Sequence, residues 1–333
     1  MSGAIVHGGG IAQAAKLYGG RPEDWLDLST GINPCPPALP DIPARAWHRL
    51  PDRELEEAAR EAARGFYRSG ARLPLPVPGT QSAIQLLPRL TDPAKRVAIV
   101  APTYGEYARA FQLAGLAVDA VTSLDDIDAR HGLAVVVNPN NPTGRSFSDL
   151  ELAALAARLH SSGGWLVVDE AFGDMESLAS MAGRTDSNLI VLRSFGKFFG
   201  MAGVRLGFVI ADDSVTTRFA DWLGPWAVSG PALSVATALF AQDRQTIHAG
   251  ITERFAALQR ILGGAGLQMI GGAGLFALVE EPDATALHAH LCKAHILTRR
   301  FDYAPTWLRF GLAPDDKADA RLAAALESWQ RRP

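Results

Sequence analysis

The chain has 333 residues, which at roughly 150 residues per domain suggests two domains. Hydrophobic residues make up 48% and charged residues 20%, which excludes a disordered chain or a coiled coil as the main state. Thirty-two basic against 35 acidic residues leave a net charge of −3 and no electrostatic case for nucleic acid or an anionic membrane surface. Cys35 and Cys292 are too far apart for a CxxC metal site or a disulfide framework. No apolar run approaches the roughly 20 residues of a membrane span, and Met1 to His7 has no basic stretch leading into an apolar one. The expectation is a cytoplasmic, soluble enzyme without a metal.

In chain order, the first segment is rich in Gly and Pro: His7-Gly-Gly-Gly10, then Ser29-Thr-Gly-Ile-Asn33-Pro-Cys-Pro-Pro37. Because Pro blocks helix interiors and Gly permits positive φ, residues 1–43 are expected to form an irregular arm. Residues 53–67 are expected to be helical, with Leu55, Ala58, Ala59 and Ala62 on one side. Helical patterning is also expected over residues 83–90. Short β-branched runs follow at residues 96–101, 132–137, 165–168, 188–192 and 206–210, each nearly unbroken by polar residues, as in strands covered on both faces. Between them, residues 148–160 carry a capping box, Ser148 with Glu151, and an apolar stripe of Leu152, Leu155 and Leu159. Strands alternating with helices predict a mainly parallel α/β sheet in a large domain over residues 44–230. Residues 231–333 are expected to form a smaller α+β domain, which the arm joins. Its candidate strands cover residues 274–279, 296–298 and 307–310, and its last helix spans residues 315–329.

Four stretches carry chemistry. In Ser194-Phe-Gly-Lys197-Phe-Phe-Gly-Met-Ala-Gly-Val-Arg205, a lysine stands among apolar and small residues, flanked by two natural phosphate ligands. A lone lysine reads first as a solvated loop residue; in this setting it is also one that can form a Schiff base with an aldehyde. Asp169, closing the run Trp165-Leu-Val-Val-Asp169, sits where ligands bind in open α/β sheets, and reads otherwise as a helix cap. Asn141, in Asn138-Pro-Asn-Asn-Pro-Thr-Gly144, reads as part of a turn or as a donor to an anionic oxygen. Gly79-Thr80-Gln81-Ser82 reads as a plain helix cap or as a phosphate-binding helix start.

The order of these stretches, with Tyr104 between the Gly79 and Asn138 stretches, resembles the fold type I pyridoxal-phosphate (PLP) enzymes of the aminotransferase class I and II superfamily over roughly residues 28–310. The resemblance implies a PLP-dependent transferase fold type I, PLP as cofactor, and a homodimer. It implies Lys197 as the Schiff-base lysine, Asp169 as partner of the pyridine nitrogen, Asn141 as donor to the phenolic oxygen and Tyr104 stacked on the ring. Gly79, Thr80, Gln81, Ser194 and Arg205 would complete the cofactor site. Arg309 and Arg299 match arginines that bind the substrate's anionic groups.

Two departures stand out. The family's usual DEAY is Asp169-Glu-Ala-Phe172 here, so a tyrosine hydroxyl is missing. Leu50, in Arg49-Leu-Pro-Asp52, replaces the tyrosine that reaches a partner subunit's cofactor phosphate, so it is not carried over as a site residue. The arm adds a discriminator: His7-Gly8-Gly9 with Asn33-Pro34 resembles the threonine-phosphate decarboxylases of cobalamin biosynthesis, within the histidinol-phosphate aminotransferase-like branch, although Gly10 stands where Asn is common. That implies decarboxylation of L-threonine O-phosphate to aminopropanol phosphate through an external aldimine, with His7, Gly8 and Asn33 joining the arginines on the substrate side. The alternative is an aminotransferase acting on histidinol phosphate or a related amino acid, which the same catalytic residues would serve.

Three patterns are set aside. Gly272-Ala-Gly-Leu-Phe-Ala277 formally matches a dinucleotide fingerprint but leads into a strand pattern and not a helix. His288, His290 and His295 are spaced for different faces, not for one metal. Trp222 and Trp226 read as core or interface residues.

Overall fold

The computed structural model describes residue 5, residues 7–175 and residues 179–330. The first residues of the arm, 1–4 and 6, lie outside that set, and with them most of the segment expected to lack a secretory signal. In chain order, the first half holds α1 (Ile11–Tyr18), β1 (Leu26–Asp27), α2 (Ala44–His48), α3 (Arg53–Tyr67), β2 (Leu75–Val77), α4 (Thr80–Leu86), β3 (Arg96–Val100), α5 (Glu106–Leu113), β4 (Val118–Val121), β5 (His131–Val137), α6 (Asp149–Ser161) and β6 (Trp165–Asp169). The second half holds β7 (Leu189–Ser194), α7 (Phe195–Phe198), β8 (Gly207–Ile210), α8 (Asp213–Leu223), α9 (Gly230–Phe240), α10 (Arg244–Gly264), β9 (Gln268–Gly272), β10 (Phe276–Glu280), α11 (Ala284–Lys293), β11 (Ile296–Leu297), β12 (Arg299–Phe301), β13 (Ala304–Gly311) and α12 (Asp316–Gln330).

The chain forms two compact units. Among the described residues, the first comprises Pro37–Asn141 and Arg145–Arg244; the second comprises residues 5 and 7–36, Pro142–Gly144 and residues 245–330. In the first unit a seven-stranded sheet runs in the order β2-β8-β7-β6-β5-β3-β4. The β3–β4, β3–β5, β5–β6 and β6–β7 pairs are parallel, and β8 runs antiparallel to both its neighbours. All seven residues of β5 are buried, as expected of a strand covered on both faces. Helix α6 begins at the expected capping box: Glu151 N donates to Ser148 Oγ at 3.3 Å, and Ser148 N donates back to the Glu151 carboxylate at 2.8 Å. Its Leu152, Leu155, Ala156 and Leu159 are buried. Helix α3 is started in the same way by Asp52, whose carboxylate accepts from Leu55 N at 2.9 Å.

The second unit has a four-stranded antiparallel sheet, β12-β13-β10-β9, and a two-stranded parallel pair in which β1 of the arm lies beside β11. The segment set aside as a dinucleotide fingerprint is the turn from β9 to β10. Gly271 and Gly272 pack on Thr143 and Gly144 so closely that a Cβ on Gly271 would come within 2.0 Å of the Thr143 carbonyl oxygen. Glycine is therefore required there by backbone contact, not by a phosphate.

Several expectations shift. The arm holds a two-turn helix, α1, whose Ile11, Ala14 and Ala15 pack with Trp25, Cys292 and Leu297. The expected helix over residues 83–90 starts at Thr80, and its α-helical part ends at Leu86, because Pro88 cannot continue the hydrogen-bond ladder and a 3₁₀ turn follows. The boundary between units falls at Pro36/Pro37 and after Arg244, where residues 43/44 and 230/231 were expected. Helix α9 stays with the first unit, packed so tightly on α2 that a Cβ on Gly230 would meet the Ala46 carbonyl oxygen at 2.5 Å. Arg244 is held there by Asp174 at 3.3 Å and by the ring of Phe66. Trp222 packs against the first unit's core, with Arg89 and Arg218 over its ring, while Trp226 is 58% exposed. Among the described residues, no helix is long and apolar enough to cross a membrane.

Candidate active site

The ends of β5, β6 and β7 bring the chemistry-bearing residues of the first unit to one place, the carboxyl edge of a parallel sheet, where open α/β folds bind ligands. Asp169 is the last residue of β6, Ser194 the last of β7, and Lys197 follows within α7. Gly79, Thr80, Gln81, Tyr104, Asn141, Asp169, Ser194, Lys197 and Arg205 all line one pocket of about 190 Å³, together with Phe172.

One end of the pocket is built for an anion. Gly79 has φ +73°, and a Cβ there would lie 2.7 Å from Arg205 Nη2, so only glycine leaves the guanidinium its place. Arg205 itself adopts the left-handed region at φ +56° and donates from Nη1 to the Ala202 carbonyl at 3.1 Å. On the neighbouring strand, a Cβ on Gly207 would come within 2.8 Å of Thr80 N. Backbone, guanidinium and the Ser194 end of β7 thus crowd together without side-chain bulk between them.

The other functional group is Asp169, which is buried. Tyr107 Oη donates to its Oδ2 at 2.7 Å, and Ala171 N donates to its Oδ1 at 2.9 Å. Burial pushes the carboxyl up from its ordinary value; those two donors and the nearby Lys197 charge oppose that shift. Lys197 Nζ lies 5.0 Å from the centre of the Phe172 ring, an apolar face without a hydroxyl. Tyr104 is anchored by a polar chain: its hydroxyl donates to Gln81 Oε1 at 3.1 Å, Gln81 Nε2 donates to Glu106 Oε2 at 3.2 Å, and Arg109 lies 3.5 Å from the same carboxylate.

A buried carboxylate, a lysine, an arginine in a glycine cradle and the Asn141 amide lining one pocket suit PLP, which has a pyridine nitrogen, an aldehyde, a phosphate and a phenolic oxygen.

Sequence reasoning did not find Tyr107, Glu106 or the network behind the site. Glu170 turns away from the pocket and pairs with Arg193 at 2.6 Å; Arg193 also binds Asp174, which Arg244 contacts. All three members, Glu170, Asp174 and Arg193, are buried. The available signal was alternation: Arg193 immediately precedes Ser194 on a strand, and Glu170 follows Asp169, so each must face the opposite side.

The residues expected on the substrate side, His7, Gly8, Asn33, Arg299 and Arg309, lie in the second unit. Arg299 and Arg309 are cross-strand partners on β12 and β13. Arg309 is buried; its Nη2 donates to the Ser29 carbonyl at 2.7 Å and its guanidinium lies over the Phe276 ring. Burial, then the charge of Arg299, pushes Arg309 down to about 10. Gly8 lies against Ser29, where a Cβ would meet the carbonyl oxygen at 2.4 Å, and Gly9 N donates to Ser29 Oγ at 2.7 Å. Asn33 is buried and its Oδ1 accepts from Cys35 N at 2.8 Å, a turn-forming contact. His7 is exposed. Of the histidines set aside, His288 contacts Thr298 Oγ1 and His290 contacts the Ala325 carbonyl.

Comparison with known proteins places this geometry in a family. The chain is 64% identical over 328 residues to a threonine-phosphate decarboxylase of Sinorhizobium sp., covering 98% of each chain. It is 45% identical over 332 residues to a threonine-phosphate decarboxylase of Pseudomonas aeruginosa, covering 97% of each. The crystal structure of histidinol-phosphate aminotransferase from Sinorhizobium meliloti in complex with pyridoxal-5′-phosphate shares the fold, with a TM-score of 0.80 at 19% identity over 98% of this chain and 96% of that one. Residues 23–326 match the family described as aminotransferase class I and II, and the chain belongs to that family.

Proposed function

We propose that this protein decarboxylates L-threonine O-phosphate to aminopropanol phosphate, using PLP, as a step of cobalamin biosynthesis. The observation that carries this reading is the 64% identity, over nearly the whole of both chains, to a protein named for that activity. The pocket supports it, because its donors match the parts of PLP one by one.

Bound PLP supplies an electron sink: its protonated pyridine ring accepts the pair left when a bond at the substrate's α-carbon breaks. Asp169 would keep that ring nitrogen protonated by offering it a buried negative charge. Arg205, Ser194 and the backbone at Gly79–Thr80 would hold the phosphate, Asn141 would donate to the phenolic oxygen, and Tyr104, its hydroxyl fixed by Gln81, would cover a ring face. Lys197 would bind the cofactor's aldehyde, and its Nζ, as an ammonium, would be the proton donor to the substrate's α-carbon. Arg299 and Arg309 bind the substrate's phosphate and part of its carboxylate, with Gly8, His7 and Asn33 shaping that side. The placement of these anion ligands would orient the substrate for carbon dioxide loss over proton loss. The reading includes a cytoplasmic homodimer.

The test is the purified protein with threonine phosphate. Carbon dioxide release without any 2-oxo acid is expected. Strict dependence on 2-oxoglutarate would overturn the proposal in favour of transamination.

A further inference from the structure

The pocket's buried carboxylate is gripped by a phenol that the scheme above leaves unused. Tyr107, on α5, is fully buried, and its Oη donates to Asp169 Oδ2 at 2.7 Å. Ala171 N donates to Oδ1 at 2.9 Å. Each oxygen of the carboxylate therefore has one protein donor and keeps a lone pair for a further one. A carboxylate buried without such donors takes up a proton and loses the charge a pyridinium needs. The phenol is suited to the task. Burial and the Asp169 charge hold its own hydroxyl well above its ordinary value, so it remains a donor wherever Asp169 is ionised. Tyr104 and Tyr107 meet edge to face, with centroids 6.3 Å apart and planes at 83°. The two tyrosines of Tyr104-Gly-Glu-Tyr107 thus divide the work: one forms the pocket wall, the other reaches behind the wall to Asp169.

We propose that Tyr107 is a positioning residue that keeps Asp169 ionised and fixes the oxygen it presents to the cofactor's ring nitrogen. The cofactor half of this inference rests on the PLP reading above; the hold of Tyr107 on Asp169 does not.

The test is Tyr107→Phe, which removes only the hydroxyl. In the cofactor-free protein carrying ¹³C-labelled aspartate, infrared difference spectra against pH follow the Asp169 carboxyl, with Asp169→Asn identifying its band. The midpoint is expected to rise by about one pH unit, tenfold in proton affinity, the size expected for losing a hydrogen bond to a charged group. The PLP dissociation constant is expected to rise by about the same factor. Adding Tyr107→Phe to Asp169→Asn should weaken PLP binding less than it does in the wild type. An unmoved midpoint overturns the proposal. Should Tyr107→Phe fail to fold, 3-fluorotyrosine at position 107, a stronger donor of nearly the same size, is expected to lower the midpoint; an unchanged or raised midpoint overturns the proposal. If the midpoint moves but Asp169→Asn binds PLP as tightly as the wild type, the cofactor reading of Asp169 fails while its contact with Tyr107 stands.

Discussion

The two units handle charge in opposite ways. In the first, every buried charge near the pocket is met by the protein: Asp169 by Tyr107 and Ala171, Glu170 and Asp174 by Arg193, Glu106 by Gln81 and Arg109. In the second, two like charges are set side by side, Arg299 beside Arg309, and the buried one is steadied by a carbonyl oxygen and an aromatic face. The first arrangement is fixed before anything binds. In the second, Arg309 is held down to about 10, first by its burial and then by the neighbouring Arg299 charge. Under the proposed function, that contrast would correspond to a resident cofactor held by the first unit and a passing substrate met by the second.

The contrast can be broken from either side, and the largest effect is expected at the arginines. Arg309→Lys keeps a charge but loses the planar fork that meets Ser29 and Phe276 together. The KM for threonine phosphate is expected to rise about 10²-fold, the range for disrupting a buried charged contact, with the cofactor's absorbance unchanged. A lost cofactor band would mean that the two units do not divide the work as described. Next comes Gly79→Ala, which puts a Cβ 2.7 Å from Arg205 Nη2 at φ +73°. Strain of this kind is expected to weaken PLP binding about tenfold, read by titrating the cofactor-free protein, while KM at saturating cofactor stays near the wild-type value. Unchanged PLP affinity would remove the glycine cradle from the cofactor site.

The smallest effect concerns stability in the second unit. His288, which faces Thr298 Oγ1 at 2.8 Å, is pushed down to about 4, mainly by burial. Between pH 6.5 and about 4 the unfolded chain binds a proton there that the folded chain refuses. The folded state therefore holds its full advantage above pH 6.5 and loses it as pH falls through that window. Denaturation midpoints of the wild type are expected to decline more steeply there than those of His288→Gln; equal slopes would exclude His288 as the source.

Much of the first unit was legible because its signals are local. Strands such as β5 announce themselves as unbroken β-branched runs, and α6 declares its own start through Ser148 and Glu151. Of the pocket residues, Asp169 and Ser194 close such strands and Thr80 opens a helix. What was illegible depends on contacts between distant segments. Helix α1 sits in a Gly-rich arm, and its Ala14 is buried by packing with Trp25, Cys292 and Leu297, brought close by the fold. The unit boundary after Arg244 depends on α9 lying against α2 and on Asp174 reaching Arg244.

By itself the sequence determined the family, the strand–helix alternation of the first unit and most of the side chains that line its pocket, because strand patterning and short motifs are written in neighbouring residues. Tertiary structure decided how those side chains are used. In Asp169-Glu170 two adjacent carboxylates are chemically alike, and only the alternation of the strand, together with a buried Tyr107 on one side and a buried Arg193 on the other, gives the first to the pocket and the second to the scaffold. A carboxylate's role is set by the donors and charges around it, and those come from parts of the chain 62 and 23 residues away.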